Sequence, residues 1–156
     1  ELDEVLTSFD AMLGEPVKFD TVFIDAPCSG TGTMRRHPEI PWRLTEKDVT
    51  VELPKLQLAM LKEAAARVAA GGELIYATCS VFDEENTQVV DAFLNSPEGT
   101  GFSLESLSEA QILQLPDFEQ AKKLVFVRQN DRGLFQSVPV NTDSYDGHFC
   151  ARLVHK

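Results

Sequence analysis

The chain has 156 residues, 43% of them apolar and 25% charged, which points to one folded domain and argues against disorder of the chain as a whole. No run is long and apolar enough to span a bilayer, and the acidic stretch Glu1 to Glu4 is unlike the basic start of a secretory signal. A formal net charge of −11 argues against a chain that grips nucleic acid through a basic face of its own; three cysteines without metal-type spacing suggest neither a disulfide framework nor a metal site, and fit a cytoplasmic protein.

Apolar residues at Val5, Phe9, Met12 and Leu13 recur at helical spacing, which predicts a helix ended by Gly14 and Pro16. Thr21-Val22-Phe23-Ile24 is a short β-prone run and reads as a buried strand. It leads into Asp25-Ala26-Pro27-Cys28-Ser29-Gly30-Thr31-Gly32, a loop by composition. Pro38, Pro41 and Trp42 make the stretch between Arg35 and Asp48 irregular. From Pro54 to Ala70 the spacing predicts a helix: Pro54 suits its first turn, Leu56, Met60, Ala64 and Val68 share a face, and Gly71-Gly72 stops it. Leu74-Ile75-Tyr76-Ala77 is a second buried strand, ending at Thr78-Cys79-Ser80. A further helix is expected from about Asp83-Glu84-Glu85, where acidic residues suit the positive end of the helix dipole, with Val89, Val90, Phe93 and Leu94 turned inward. Beyond Pro97 the signal weakens: Phe102 to Leu107 and Leu124 to Val127 are candidate strands, and Phe149 to Val154 is predicted as the last. The alternation of strand, loop and helix predicts an α/β fold around an open sheet with parallel strands.

Two strands thus run into a cysteine loop, and in an open parallel sheet ligands bind beyond the carboxyl ends of the strands. If the two strands are neighbours, Cys28 and Cys79 share a cleft. A lone cysteine is most often a small buried hydrophobe, and Cys150, inside the last strand, is read that way. Two cysteines at equivalent strand ends, each followed by serine, point instead to function. A phosphatase loop would need arginine six positions after Cys28, where Met34 stands; a dinucleotide loop would need a third glycine where Arg35 stands. Both alternatives fail on spacing.

The motif from Asp25 to Gly32, followed by Arg35-Arg36, resembles the fourth motif of the Sun-type RNA 5-methylcytosine methyltransferases. Trp42-Arg43, Leu56-Gln57, Gly71-Gly72, Tyr76-Ala77-Thr78-Cys79-Ser80 and Glu85-Asn86 follow in that family's order. Asp146-Gly147-His148-Phe149 with Ala151-Arg152-Leu153 is similar to its closing strand, although His148 stands where the family usually has an aromatic. The likeness covers Phe19 to Asn95 and the closing strand; Ser96 to Tyr145 match nothing in the pattern.

The resemblance implies the later half of a Rossmann-like S-adenosylmethionine methyltransferase fold, a mostly parallel sheet with an antiparallel C-terminal strand. The implied reaction is methyl transfer from S-adenosylmethionine to carbon-5 of cytosine in RNA, with ribosomal RNA favoured over transfer RNA. Cys79 is implied as the thiol that attacks carbon-6 and Cys28 as the one that assists release. Asp25 is expected to hydrogen-bond the cytosine ring near N3, and Asp25 and Pro27 are assigned to the cofactor side. Gly30 and Gly32 are expected to let backbone approach a ligand. The target base must leave its stack, and Arg35, Arg36 and Arg43 are candidates for nearby RNA phosphates. Trp42 can stack on a base, but after Pro41 it is read as a packing anchor. His37 and His155 are read as surface or packing residues.

Neither the glycine-rich cofactor loop nor the family's N-terminal RNA-binding segment is found before Thr21. The chain is therefore expected to be a single partial catalytic domain over 1–156, with negligible S-adenosylmethionine binding and no activity of its own. A sheet truncated beside Thr21–Ile24 is expected to self-associate, or to pack the first helix over the gap. The alternative is a non-catalytic fragment or remnant that binds RNA or a protein partner.

Overall fold

The computed structural model describes residues 2–106, 128–138 and 145–156. The candidate strand from Leu124 to Val127 lies outside the described residues. In chain order come α1 (Leu2–Leu13), β1 (Phe19–Asp25), a short α2 (Ile40–Arg43), α3 (Leu53–Ala65), β2 (Val68–Thr78), α4 (Thr87–Leu94), β3 (Phe102–Leu104), β4 (Arg128–Gln129), β5 (Phe135–Ser137) and β6 (His148–His155).

The two strands that carry the cysteine loops are parallel neighbours, with Val22 opposite Leu74 and Asp25 opposite Ala77. β6 runs antiparallel along the other side of β2, with Thr78 opposite Phe149. The sheet order is β1-β2-β6-β5-β4, with β3 also paired to β6. The α/β class and the antiparallel closing strand are as expected; among the described residues β1–β2 supplies the parallel pairing, while β3 to β6 pair antiparallel.

Alternation along β2 turns Leu74, Tyr76 and Thr78 inward, and these pack with Leu61, Val90, Phe93 and Leu153 in a core that α3 and α4 cover. The opposite face differs from expectation. Thr21–Ile24 reads as a buried strand, yet only Ile24 is buried and Phe23 is 62% exposed. β1 lies at the sheet edge, and the face that carries Phe19 and Phe23 is left uncovered among the described residues. α1 is anchored by Arg67, whose Nη1 meets both carboxylate oxygens of Asp10 at 2.8 Å, but Val5, Phe9, Met12 and Leu13 remain exposed.

α3 ends at Ala65, short of the expected Ala70, and its buried line is Gln57, Leu61, Ala65, one position along from the expected face. Val68 begins β2 opposite Phe19. The next pair is Thr21 with Glu73, so Ala69 to Gly72 bulge outward. Gly71-Gly72 therefore serves a strand bulge and does not stop a helix: Gly71 takes φ 77°, and a Cβ on Gly72 would come within 2.8 Å of the Asp20 carbonyl. α4 begins at Thr87, later than expected, with Val89, Val90 and Phe93 buried as predicted. Glu85 precedes the helix and is fully buried, so it is not the solvated acid of a first turn.

Candidate active site

The parallel ladder continues one step past β1, where the Ala26 N–H donates to the Ala77 carbonyl at 2.9 Å. Both cysteine loops therefore leave the sheet side by side at its carboxyl edge. Gly32 closes them from the far end, its N–H donating to the Cys79 carbonyl at 2.8 Å. Between these ties the Sγ atoms of Cys28 and Cys79 lie 3.3 Å apart, both half-buried, unlinked and within hydrogen-bond reach. Burial and the hydrogen bond to Cys79 push the Cys28 thiol up to about 12. It is therefore neutral at physiological pH and can donate its S–H to the Cys79 sulfur. Cys150 sits half-buried within β6, opposite Ala77, and burial raises its thiol too.

The serine after each cysteine has a visible purpose. Ser29 Oγ donates to Ser80 Oγ at 3.2 Å, and Thr31 Oγ1 lies 3.1 and 3.3 Å from the two. Beneath them lies Glu85. Its Oε2 accepts from the Ser29 N–H at 2.8 Å and Gln57 Nε2 at 3.0 Å; its Oε1 accepts from Ser80 Oγ at 2.7 Å. Asn86 accepts from Thr78 Oγ1 at 2.6 Å and donates to the Ser80 carbonyl at 3.0 Å. Gln57 and Glu85 carry the site's buried polar frame, yet in the sequence Gln57 appears only as a match to a motif order, and Glu85 as such a match and as part of an acidic helix start. The paired Cys-Ser steps were the one signal that pointed toward this frame.

A second seam joins the Cys28 loop to the approach to β6. Gly147 N–H donates to the Gly32 carbonyl at 2.8 Å, and a Cβ built on Gly32 would lie 2.1 Å from the Gly147 oxygen. The close approach that Gly32 permits is thus to protein backbone, whereas Gly30 takes a left-handed φ of 70° in a turn. Arg36 Nε donates to Asp146 Oδ2 at 2.7 Å, Arg35 lies 3.7 Å from Oδ1, and the Arg36 guanidinium holds the Asp146 carboxyl below the usual range.

Asp25 and Pro27 are exposed at the same edge. Arg43 pairs with Glu39 at 3.2 Å, and His37 lies 3.4 Å from the same carboxylate. Trp42 is 89% exposed and is not the packing anchor that Pro41 suggested, because α2 is a single turn that buries only Ile40. His155 does pack, stacked on Phe102 at 4.7 Å. Among the described residues no group of histidine, cysteine and acidic side chains could hold a metal ion.

A family model described as 16S rRNA methyltransferase RsmB/F matches residues 3–154. The chain is 39% identical over 112 residues to the ribosomal RNA small subunit methyltransferase B of Citrobacter koseri, covering 71% of this chain and 26% of the relative. The corresponding Escherichia coli O6:K15:H31 protein is 34% identical over 139 residues, 89% of this chain and 27% of that protein. The chain thus spans about a quarter of the length of these curated relatives. Among solved structures, PH0851 superposes with a TM-score of 0.62 at 34% identity, over 86% of this chain and 26% of that one. NSun6 from Pyrococcus horikoshii with SFG shares the fold at a TM-score of 0.65 and 22% identity, over 89% and 30%.

Proposed function

Since the chain belongs to the 16S rRNA methyltransferase RsmB/F family, we propose that it carries the thiol side of an active site that methylates carbon-5 of a cytosine in ribosomal RNA. The observation that supports this reading above the others is the Cys28–Cys79 pair, 3.3 Å apart where two parallel strands end. The two thiols touch without being linked, at the edge where such sheets bind ligands.

Carbon-5 of cytosine is a weak nucleophile. Cys79 acts as a thiolate and adds to carbon-6: a carbon–sulfur bond forms and the ring's double-bond electrons become available at carbon-5. Asp25, exposed at the end of β1, hydrogen-bonds the ring near N3 and favours its protonated form. S-adenosylmethionine, when bound, supplies an electrophilic methyl group. Solvent water takes the carbon-5 proton, the ring double bond re-forms, and the electron pair of the breaking carbon–sulfur bond returns to the Cys79 sulfur. Cys28, neutral and in contact, offers its S–H as a hydrogen bond to the departing Cys79 sulfur, which eases release of that sulfur as a thiolate.

The exposed Asp25 and Pro27 fit one wall of a cofactor site open to the sheet edge. Arg35, Arg36 and Arg43 remain largely exposed despite their carboxylate partners and serve as phosphate contacts. With a net charge of −11 their contribution to affinity is small, and they position RNA more than they attract it. The uncovered faces of β1 and α1 favour self-association of the isolated chain. The work on RNA is placed in the cytoplasm; among the described residues no helix is long and apolar enough to cross a membrane. Methyl transfer to ribosomal RNA by the complete protein tests the reading: transfer that survives Cys79→Ala contradicts it.

A further inference from the structure

Glu85 is 0% exposed, and among the described residues no cation pairs with it. A buried carboxylate is costly unless donors replace its water. Here three do, and their origins are informative. The Ser29 N–H belongs to the residue after Cys28, Ser80 Oγ to the residue after Cys79, and Gln57 Nε2 to α3. The same Nε2 donates to the Pro27 carbonyl at 3.0 Å, one residue before Cys28. Its partners fix the Gln57 amide so firmly that Gln57 Oε1 is left buried without a partner. The Glu85 backbone is pinned as well, its carbonyl accepting from Tyr76 OH at 2.6 Å.

We infer that Glu85 is a positioning residue: its carboxylate, oriented by Gln57, clasps the residue after each thiol and so holds the Cys28 and Cys79 sulfurs at contact distance. An acceptor-only group is required. The Ser29 N–H cannot turn into an acceptor, and Gln57 must present its NH2 to serve Pro27. Ser80 Oγ already accepts from the Phe82 N–H at 3.1 Å and from Ser29 Oγ. An amide in place of the carboxylate therefore sets donor against donor at one of the three contacts, with the least strain at Ser80. The inference rests on the methyltransferase reading for its catalytic meaning, but the clasp itself can be tested without RNA or cofactor.

The probe is phenylarsine oxide, whose arsenic bonds two neighbouring thiols while its oxygen leaves as water with the two thiol protons. It should bridge Cys28 and Cys79 in this chain; Cys150, a lone thiol, serves as internal control. Glu85→Ala should weaken bridging roughly 10–100-fold, since misplacing a reacting group by ~1 Å can cost about 10²-fold. Glu85→Gln should weaken it less, and both should leave Cys150 alkylation and a cooperative thermal transition intact. Unchanged bridging in a folded variant overturns the inference. If Glu85→Ala does not fold, Glu85→Gln decides; collapse of both variants also overturns it, because Glu85 would then serve the whole fold. In the complete protein Glu85→Gln should lower kcat while leaving the RNA KM within about twofold, the signature of a lost transition-state interaction. A KM effect alone contradicts the assignment. Wild-type protein that binds the arsenical but transfers no methyl group would defeat the proposed function and leave the clasp standing.

Discussion

Cys28 and Cys79 are separated by 51 positions in the chain, yet their sulfurs lie 3.3 Å apart. The pairing follows from β1 and β2 being parallel neighbours in register, so that Asp25 lies opposite Ala77 and each loop leaves its strand at the same height. The serines that follow the two cysteines meet below the sulfurs and share one buried carboxylate.

The Cys28 thiol should ionise late. Burial and the Cys79 contact push Cys28 up to about 12, against an ordinary 9.0. Iodoacetamide labelling of the Cys28 peptide, followed by mass spectrometry, should keep accelerating well past pH 9 instead of levelling off. In Cys79→Ala the midpoint should fall partway back, since burial is the larger cause and remains. The folded value lies above the unfolded one, so this thiol contributes stability that is fully present below about pH 9 and is lost as pH rises toward 12. A plateau near the ordinary value would contradict the buried contact.

Gly32→Ala should loosen the site from its far end. The added Cβ would lie 2.1 Å from the Gly147 oxygen, so the seam to β6 has to open. A loss of about 1–3 kcal/mol is expected, the usual cost of overpacking a tight interior contact. Urea denaturation monitored by circular dichroism reads it; an unchanged midpoint would show that the seam is not a close contact in solution.

The Asp146–Arg36 pair predicts a response at the acidic end. Its carboxyl is held low by Arg36, so its stabilising effect is present above the ordinary value of 3.8 and is lost as pH falls through the lower folded value. Asp146→Asn should remove that part of the acid response and lower its dependence on salt, because the arginine side chains are half exposed. Acid titrations of the wild type and variant in low and high salt check it. Identical curves would mean that the pair does not form.

The exposed stripe of Val5, Phe9, Met12 and Leu13, with Phe23 on β1, predicts concentration-dependent self-association of the isolated chain. Sedimentation velocity over a range of concentrations reads it, and Phe9→Lys combined with Met12→Lys should shift the chain toward monomer. A single monomeric species at every concentration would count against the prediction.

The central stretches of β1, β2 and β6 and both cysteine loops were legible in the sequence because β-prone runs end abruptly in Pro, Ser and Gly, whereas β4 and β5, of two and three residues, are too short to leave a pattern. Periodicity also found the inward face of α4. It misplaced α3 because Val68 continues the helical spacing by chance, while its pairing opposite Phe19 and the backbone freedom of Gly71 fit a bulged strand. Edge exposure of Phe23 depends on what covers β1, which no local pattern encodes. Glu85 was the hardest to foresee. An acid just before a helix looks like a solvated dipole partner, and only the convergence of Ser29, Gln57 and Ser80 makes it the centre of the buried frame. Trp42 shows the opposite error, a large aromatic that the structure leaves in solvent.

The division of labour between the thiols is the central claim, and covalent trapping tests it most directly. The complete protein, as wild type, Cys79→Ala and Cys28→Ala, is incubated with its ribosomal RNA and S-adenosylmethionine and run on a denaturing gel. With Cys79 as attacker, Cys79→Ala forms no protein–RNA adduct. With Cys28 as the donor that eases release, Cys28→Ala still attacks and accumulates the adduct. An adduct that builds up in Cys79→Ala instead would reverse the roles, and activity retained without an adduct in both variants would show that the paired thiols do no chemistry.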